Sequence, residues 1–456
     1  MLRAKNVDIL NGPLLKTIII YSIPIMIMGL VQQLFNAADI MVLNVMAGDN
    51  AVASVGATSA VSSLLVDTFL GIAIGTRIVL SRRLGEKNYE KARNVASTSI
   101  YVALMMGAAI AVLGNIFAPH ILRLLNCPAE CFDGALVYLR IYLLGAPVIL
   151  LYNYSSAIVQ VSGDTQRPLY YMLLAGVLNV VLNFVLCFVL SQKVAAVAIA
   201  TVASQGVASA LLIRRIFVME GPCRLSFKTL RWSTTSFLNV MSNGLPQALY
   251  HAIYPVSNMM VYAQVNTFGA AAIAGNVAMG KSEQLLVTMA TSSISGTVSA
   301  FMGQSLGAKN YDRVKKSFFT CLWMYTAMGL VLGVAATVFY RPLCSLFAST
   351  DEVTMSAAWA RAIFVTAFQF IGCANTCFNR AINTFGYAKV AVIGTVFAIF
   401  GFRAIWMNFI YPLNPTLNMI FVVFTLSWML SLIFNVVLFA WIYKYRFKPG
   451  KLKALR

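Results

Sequence analysis

Charged residues are scarce in this sequence. Of its 456 residues, 11% are charged, 14 are acidic and two are histidines, whereas 60% are hydrophobic. A soluble domain has roughly a quarter of its residues charged, so the polar surface of such a domain is missing. The chain also lacks a long polar stretch that would form a separate soluble domain. The composition therefore indicates a protein that is surrounded mostly by lipid.

Motifs for catalysis are missing as well. His120 and His251 stand apart, and no nucleophile–base pair or phosphate-binding motif accompanies them. Filter-type repeats, which selective channels use, are also absent. The eight cysteines have no metal-ligand spacing, although Cys127 and Cys131 could form a disulfide in an outer loop. These absences disfavour an enzyme, a channel and a metal centre, and no cofactor is expected.

Long apolar runs recur along the whole chain. Runs of about 20 residues or more can cross the hydrocarbon layer as helices, and these runs lack the alternation of transmembrane strands. We predict an all-α membrane protein with twelve transmembrane helices. The predicted spans are 15–46, 51–81, 94–118, 135–162, 169–190, 194–216, 237–265, 271–302, 314–340, 355–384, 388–412 and 416–443.

Positive charges are distributed unevenly between the predicted loops. With the amino terminus inside, the cytoplasmic segments hold 25 Lys and Arg residues and the outer loops hold three. This asymmetry follows the positive-inside rule and predicts a multi-pass inner-membrane protein with both termini in the cytoplasm. Contact with anionic lipid headgroups explains the formal charge of +20, so no nucleic-acid partner is expected.

A cytoplasmic loop occurs twice. Leu84 begins LGEKNYEKARN, and Leu306 begins LGAKNYDRVKK in the second half of the chain, with five of eleven positions identical. Other pairs keep nearly the same offset, namely Pro24 with Pro246 and Arg140 with Arg361. An offset that stays nearly constant along much of each half indicates an internal duplication.

The duplication predicts the domain organisation. Residues 1–216 form an amino-terminal lobe of six helices, 217–236 form a cytoplasmic linker, and 237–456 form a carboxyl-terminal lobe with a basic tail. Both copies of the repeated loop are basic and therefore cytoplasmic, so the repeats are parallel. Transporters with parallel repeats bind their substrates between the halves and work by alternating access.

These features, together with longer segments, resemble the multidrug and toxic compound extrusion (MATE) family. The similarity covers nearly all of the chain, and its specificity comes from the order and spacing of the segments. They are IPIMIMGLVQQLFNAADIMVLN from Ile23, LGEKNYEKARN from Leu84, YLRIYLLGAP from Tyr138, SGDTQRPLYYMLLAGVLNVVLN from Ser162, VAAVAIATVASQ from Val194 and GQSLGAKNYDRVKK from Gly303.

The resemblance implies two six-helix bundles around a V-shaped central cavity. Members of the family exchange protons or sodium for small organic, often cationic, compounds. We therefore expect a monomeric antiporter whose partners are its substrate and the membrane lipids. A flippase for a lipid-linked substrate is the alternative, since the same superfamily contains such proteins. A flippase needs a cationic cleft for a phosphate, and Lys281, Arg380 and Arg403 leave this alternative open.

Three acids fall within the predicted spans: Asp39, Asp67 and Glu283. An ionisable group at this depth is costly unless it faces a cavity or a partner. Asp39 has no basic residue within two turns of its helix. Because burial disfavours its ionised form, Asp39 can load and release a proton, or bind sodium together with other oxygens. We expect Asp67 to be structural.

The resemblance adds three residues to Asp39 as a cation site. They are Asn179 and Asn183, which share one helix face because they are four residues apart, and Thr201. Asn183 stands where the family pattern usually has Asp. Asp39 is then the single formal negative charge of the site, which favours proton coupling over sodium coupling. Interhelical hydrogen bonds are the alternative role for the two asparagines.

The carboxyl-terminal half departs further from the family pattern. Tyr254 and Gly372 stand where some members carry acids, so an acid-driven site in this half is not expected. We interpret Glu283 as a cavity carboxylate or as part of a structural ion pair with Arg380 or Arg403. Arg140 and Arg361 are expected to be structural. The candidate substrate-cavity residues are Asn36, Tyr254, Asn258, Glu283, Gln369 and Arg403.

Overall fold

The computed structural model describes residues 7–124 and 127–445. The side chains of 49, 59–61, 63, 65–67 and 288–292 lie outside this description, and so does the Asp67 prediction. Residues 1–6 and the tail from 446, which supply part of the predicted cytoplasmic charge, lie outside it too.

The described chain is helical. Because hydrocarbon offers no hydrogen-bond partners, a helix is the form in which an apolar segment satisfies its own backbone groups. The α-helices are α1 Leu14–Ala47, α2 Asp49–Gly85, α3 Tyr89–Leu124, α4 Ala129–Leu144, α5 Ala146–Val161, α6 Gln166–Val189, α7 Lys193–Val218, α8 Thr234–Val265, α9 Ala270–Glu283, α10 Met289–Gly307, α11 Tyr311–Val338, α12 Tyr340–Cys344, α13 Glu352–Arg361, α14 Gln369–Thr384, α15 Ala388–Val396, α16 Phe402–Ile405 and α17 Leu417–Tyr445.

The all-helical membrane fold predicted from the sequence is confirmed. Each predicted span falls on one helix or on a run of adjoining helical segments. Within the described residues, eight helices or continuous helical runs are long and apolar enough to cross a membrane, and the bent pair α4 and α5, at 45° to each other, makes nine. The count of twelve transmembrane helices stays a prediction.

The repeated loop has the same backbone in both copies. Lys87 and Lys309 occupy the same position of the repeated sequence and have φ of 53° and 57°, a left-handed conformation that is uncommon outside glycine. The next residue closes each turn, since Asn88 N donates to Arg83 O at 3.1 Å and Asn310 N donates to Ser305 O at 2.9 Å. The duplication seen in the sequence therefore extends to the backbone of the loop.

A second turn is shared by the two halves. Gly163 and Gly386, which are related by nearly the same offset, have φ of 98° and 93°, where a side chain would be strained. Gly163 N donates to Gln160 O and Gly386 N donates to Asn383 O, each at 2.9 Å. The two turns precede α6 and α15, which are therefore corresponding helices of the two halves.

The helices pack into two units. The first contains Ile23–Ala248 with the described residues before Gly12, and the second contains Gly12–Ser22 with the described residues from Leu249 onward. Helices α1 and α8 therefore contribute to both units. The predicted lobes follow the duplication rather than this packing, so they stay a prediction.

The second unit also contains four π-helical segments, in which the backbone hydrogen bond spans one extra residue. They extend α9, α13, α15 and α16 at their carboxyl ends and comprise Gln284–Thr288, Ala362–Thr366, Phe397–Gly401 and Trp406–Ile410. Glu283 and Arg361 are the last residues before two of these segments. Such segments frequently occur at functional sites.

Close backbone approach joins α2 to the beginning of α8 in the first unit. A methyl group built on Gly75 would lie 2.6 Å from the backbone nitrogen of Gly244, and one built on Gly71 would lie 2.6 Å from the Cα of Ala248. Both neighbours are backbone atoms, which cannot rotate away. Glycine at 71 and 75 is therefore required by the packing of these two helices.

We predict that Gly75→Ala destabilises the protein by about 2 kcal/mol, because the added methyl overpacks a backbone contact. Thermal unfolding of the purified protein in detergent measures this as a lower midpoint. The control is Gly206→Ala in α7, where the added methyl finds only Val148 Cγ1 at 3.6 Å. That variant should keep the midpoint or raise it slightly, and an equal loss in both variants would contradict the packing argument.

Candidate functional site

Asp39 lies in α1 and is buried, with 4% of its surface exposed. Its carboxylate accepts two side-chain hydrogen bonds in the first unit. Asn183 Nδ2 donates to Oδ1 at 2.6 Å, and Thr201 Oγ1 donates to Oδ2 at 2.9 Å. The donors come from α6 and α7, so three helices meet at this carboxylate.

Asn179 completes the group. Its Nδ2 donates to Thr201 Oγ1 at 3.3 Å, and its Oδ1 accepts from Asn183 Nδ2 at 3.3 Å. Asn179 and Asn183 lie one helical turn apart on the same face of α6, as their spacing predicts. The structure therefore brings together all four residues that the sequence analysis selected for the cation site; we call them the Asp39 cluster.

The Asp39 cluster is rich in oxygen and has little positive charge. Among the described residues, no Lys or Arg nitrogen forms an ion pair with Asp39. Asn183 Oδ1 is buried and accepts no hydrogen bond within the described part of the chain. A carboxylate in this setting is stable when a proton or a cation neutralises it. The unused amide oxygen and the Thr201 hydroxyl are suitable additional ligands for a hard cation.

The predicted substrate-cavity residues fall into separate groups. Asn36 is exposed on α1 in the first unit, and the other five belong to the second unit. Gln369 Nε2 donates to Glu283 Oε1 at 2.5 Å, and Arg403 Nη1 donates to Asn258 Oδ1 at 2.7 Å. The Tyr254 hydroxyl lies 3.3 Å from that of Tyr250.

Glu283 forms a buried ion pair with Arg361. Arg361 Nη2 lies 3.1 Å from Glu283 Oε2, and the exposed fractions of the two side chains are 7% and 15%. The predicted partners, Arg380 and Arg403, were wrong. Arg361 Nη1 also donates to Asn276 Oδ1 at 2.8 Å and to the Tyr262 hydroxyl at 3.1 Å. The pair holds α9 against α13 at the start of their π segments.

The two repeat-related arginines differ in their surroundings. Arg361 is buried in its ion pair, whereas Arg140, its counterpart in α4, is exposed. Lys281 is exposed and lies two positions before Glu283 in α9, so the two do not share a helix face. Cys127 and Cys131 are free thiols, so the structure has no disulfide between them.

Sequence reasoning missed the surroundings of Arg403. Arg403 Nε donates to Ser427 Oγ at 2.9 Å, Nη1 donates to Ser257 Oγ at 3.3 Å, and the guanidinium lies 4.4 Å from the centre of the Phe424 ring. Serines and a phenylalanine within apolar helices give no signal by themselves. A signal that was available is the presence of an arginine at membrane depth with no acid near it in sequence.

Comparisons with known proteins agree with this architecture. The family model described as MatE matches residues 24–185 and 246–410. The probable multidrug resistance protein YoeA of Bacillus subtilis is 25% identical over 394 residues, 84% of each chain. An FAD transporter of Shewanella oneidensis is 24% identical over 355 residues, which cover 76% of this chain and 77% of that protein.

A solved structure shares the fold. A MOP superfamily transporter from Pyrococcus furiosus is 22% identical and has a TM-score of 0.85, with 96% of this chain and 97% of that chain covered. The match extends over nearly all helices of both halves. It supports the prediction of two repeated helical bundles.

We predict that Glu283→Gln destabilises the protein by about 3 kcal/mol, because Arg361 is then a buried charge without its counter-ion. The thermal midpoint in detergent should fall clearly. Arg341→Gln is the matched control, since it breaks the Arg341–Glu352 pair, whose side chains are 60% and 81% exposed. That variant should show no measurable change, and equal effects in the two variants would contradict the difference in burial.

Proposed function

We propose proton-coupled antiport of small organic compounds as the function of this protein, which belongs to the MATE family of membrane transporters. It is a multi-pass integral membrane protein. Relatives described as multidrug resistance proteins and as an FAD transporter support organic compounds as the exported substrates. The observation that carries the coupling mechanism is the Asp39 cluster.

The Asp39 cluster supports coupling because a cation changes its net charge at a buried position. Without a proton or a cation, the cluster holds one carboxylate charge among neutral side chains. Loading neutralises this charge, and release restores it. If loading and substrate binding favour different conformations of the transporter, the two exchange across the membrane by alternating access.

We favour the proton over sodium because of Asn183. Sodium binding benefits from several negatively charged ligands, and here Asp39 is surrounded by amides and a hydroxyl. A single carboxylate is sufficient for a proton.

The protein is proposed to reside in the plasma membrane as a monomer with cytoplasmic termini, in contact with lipids and its substrate and without a bound cofactor.

Flipping of a lipid-linked substrate is the second candidate function, and one observation favours it. Arg403 is fully buried in the second unit among neutral partners. A cationic group of this kind suits the phosphate of a lipid-linked molecule. Transport of a soluble compound and flipping of a lipid differ in the product that appears on the far side of the membrane.

We predict that Asp39→Asn abolishes gradient-driven efflux, because an amide cannot take up and release a proton. Substrate efflux from proteoliposomes is measured with a proton gradient and a sodium gradient imposed separately. The wild type should respond to the proton gradient. Thr17→Val is the control, since the Thr17 hydroxyl donates to the Pro13 carbonyl in the first turn of α1, away from the Asp39 cluster. Full coupled activity in Asp39→Asn, or no response of the wild type to either gradient, would refute the mechanism.

We predict that Asn183→Asp shifts coupling towards sodium, because a second carboxylate beside Asp39 adds the charge that sodium binding needs. In the same proteoliposomes, efflux driven by sodium should rise at least several-fold over the wild type. A variant that stays unresponsive to sodium would show that the charge of residue 183 does not select the ion.

A further inference from the structure

Arg403 is a buried cation with an unused donor. None of its surface is exposed, and its Nη2 makes no hydrogen bond within the described part of the chain. The described ion pairs do not include it. Its partners, Ser257, Asn258 and Ser427, are neutral. Burying a charge without a counter-ion is costly, so an anion that reached Arg403 would be stabilised there.

The helices around Arg403 correspond to those around Asp39. The Asp39 cluster uses α1, α6 and α7, and the Arg403 group uses α8, α16 and α17. These are the first, fifth and sixth predicted spans of each half. Asn258 follows Asn36 at the same offset as Leu306 follows Leu84 in the repeated loops. Corresponding helices of the duplicated halves therefore surround charges of opposite sign.

One face of α8 carries polar side chains and contacts Arg403 at one end. Tyr250, Tyr254 and Asn258 are spaced by four residues, so they share this face; we call these three residues the α8 row. Arg403 contacts Asn258 at one end of the row, and the Arg380 guanidinium lies 5.4 Å from the Tyr250 ring at the other end. The row thus lies between two guanidinium groups.

Two residues of this face are more accessible than the arginines. Tyr254 and Asn258 are half-buried, whereas Arg380 and Arg403 are buried. Asn258 Oδ1 accepts from Arg403 Nη1 on this side. An incoming oxygen anion can replace this amide oxygen and also reach Nη2, because a guanidinium binds carboxylate and phosphate through two parallel hydrogen bonds. The Tyr254 hydroxyl is a further donor.

We propose that Arg403, with Tyr254 and Asn258, forms a subsite for the anionic group, a phosphate or a carboxylate, of the transported compound. The proposal rests on the proposed transport function and specifies its substrates. They are anions or zwitterions rather than simple organic cations. Arg403 supplies the charge, and the α8 row supplies the approach and the additional hydrogen bonds.

Equilibrium binding tests the subsite without any ion gradient. The full-length protein is placed in phosphatidylcholine nanodiscs and titrated with flavin mononucleotide or riboflavin, whose ring systems are identical and which differ by one phosphate. Fluorescence quenching gives both dissociation constants. The wild type should bind the phosphate form at least about tenfold more tightly, and Arg403→Gln should lose this preference.

Two further variants test whether the preference for the phosphate form depends on Arg403 itself. Arg140→Gln removes an exposed arginine and should keep the full preference, which excludes an effect of net charge. Arg403→Lys keeps the positive charge but cannot donate two parallel hydrogen bonds as a guanidinium does, so it should keep part of the preference for the phosphate form. Arg403→Gln leaves no carboxylate unpaired, so its thermal midpoint should not fall. If Arg403→Gln fails to fold, the flavin preference of Arg403→Lys tests the subsite instead. Equal binding of both flavins by the wild type, or a full preference in the Arg403 variants, would overturn the proposal.

A second experiment distinguishes a lipid headgroup from a soluble compound as the source of the anionic group. Nanodiscs with increasing phosphatidylglycerol present a lipid phosphate in competition with the flavin. Loss of flavin mononucleotide binding in wild-type discs assigns the subsite to a lipid headgroup, and unchanged binding assigns it to a soluble anion. Asp39→Asn should keep the phosphate preference. Failure of ion coupling and failure of the subsite are therefore separate results.

Discussion

Hydrocarbon does not solvate charge, and each ionisable side chain within this protein depends on how that charge is compensated. Glu283 is compensated by Arg361, an internal counter-ion. Asp39 has hydrogen-bond donors but no described counter-ion. Arg403 has neutral acceptors and an aromatic ring. The first arrangement is complete within the protein. For the other two we propose that an ion or a substrate from outside completes the compensation.

Sequence reasoning succeeded where helix spacing or the family resemblance identified the partners. The spacing of Asn179 and Asn183 placed both on one helix face, and the family resemblance joined them to Asp39 and Thr201; the structure brings all four together. The partner of Glu283 was predicted wrongly, because Arg361 lies 78 residues away. Hydropathy does not report which faces of two distant helices meet, so it could not favour Arg361 over the predicted partners Arg380 and Arg403.

The duplication preserved turns more strictly than it preserved membrane chemistry. Lys87 and Lys309 keep the same unusual backbone conformation, and so do Gly163 and Gly386. Turns are constrained by geometry, since few residues tolerate a positive φ. Polar side chains in a helix face no such constraint, and each half could exchange an acid for an arginine without altering its path through the bilayer. The unequal roles that we propose for the halves are consistent with this difference.

The π segments accompany a difference in length between the two halves. The stretch from Arg361 to Gly386 is slightly longer than the corresponding stretch from Arg140 to Gly163, and Ala362–Thr366 lies inside the longer one. An extra residue in a regular α-helix rotates everything after it by about 100° around the axis, whereas a π turn takes up one extra residue locally. Small insertions during evolution could therefore aim existing side chains at new surfaces while every loop stayed in place. A duplicated helix bundle can therefore acquire a new specificity by a change of register as well as by a change of residue.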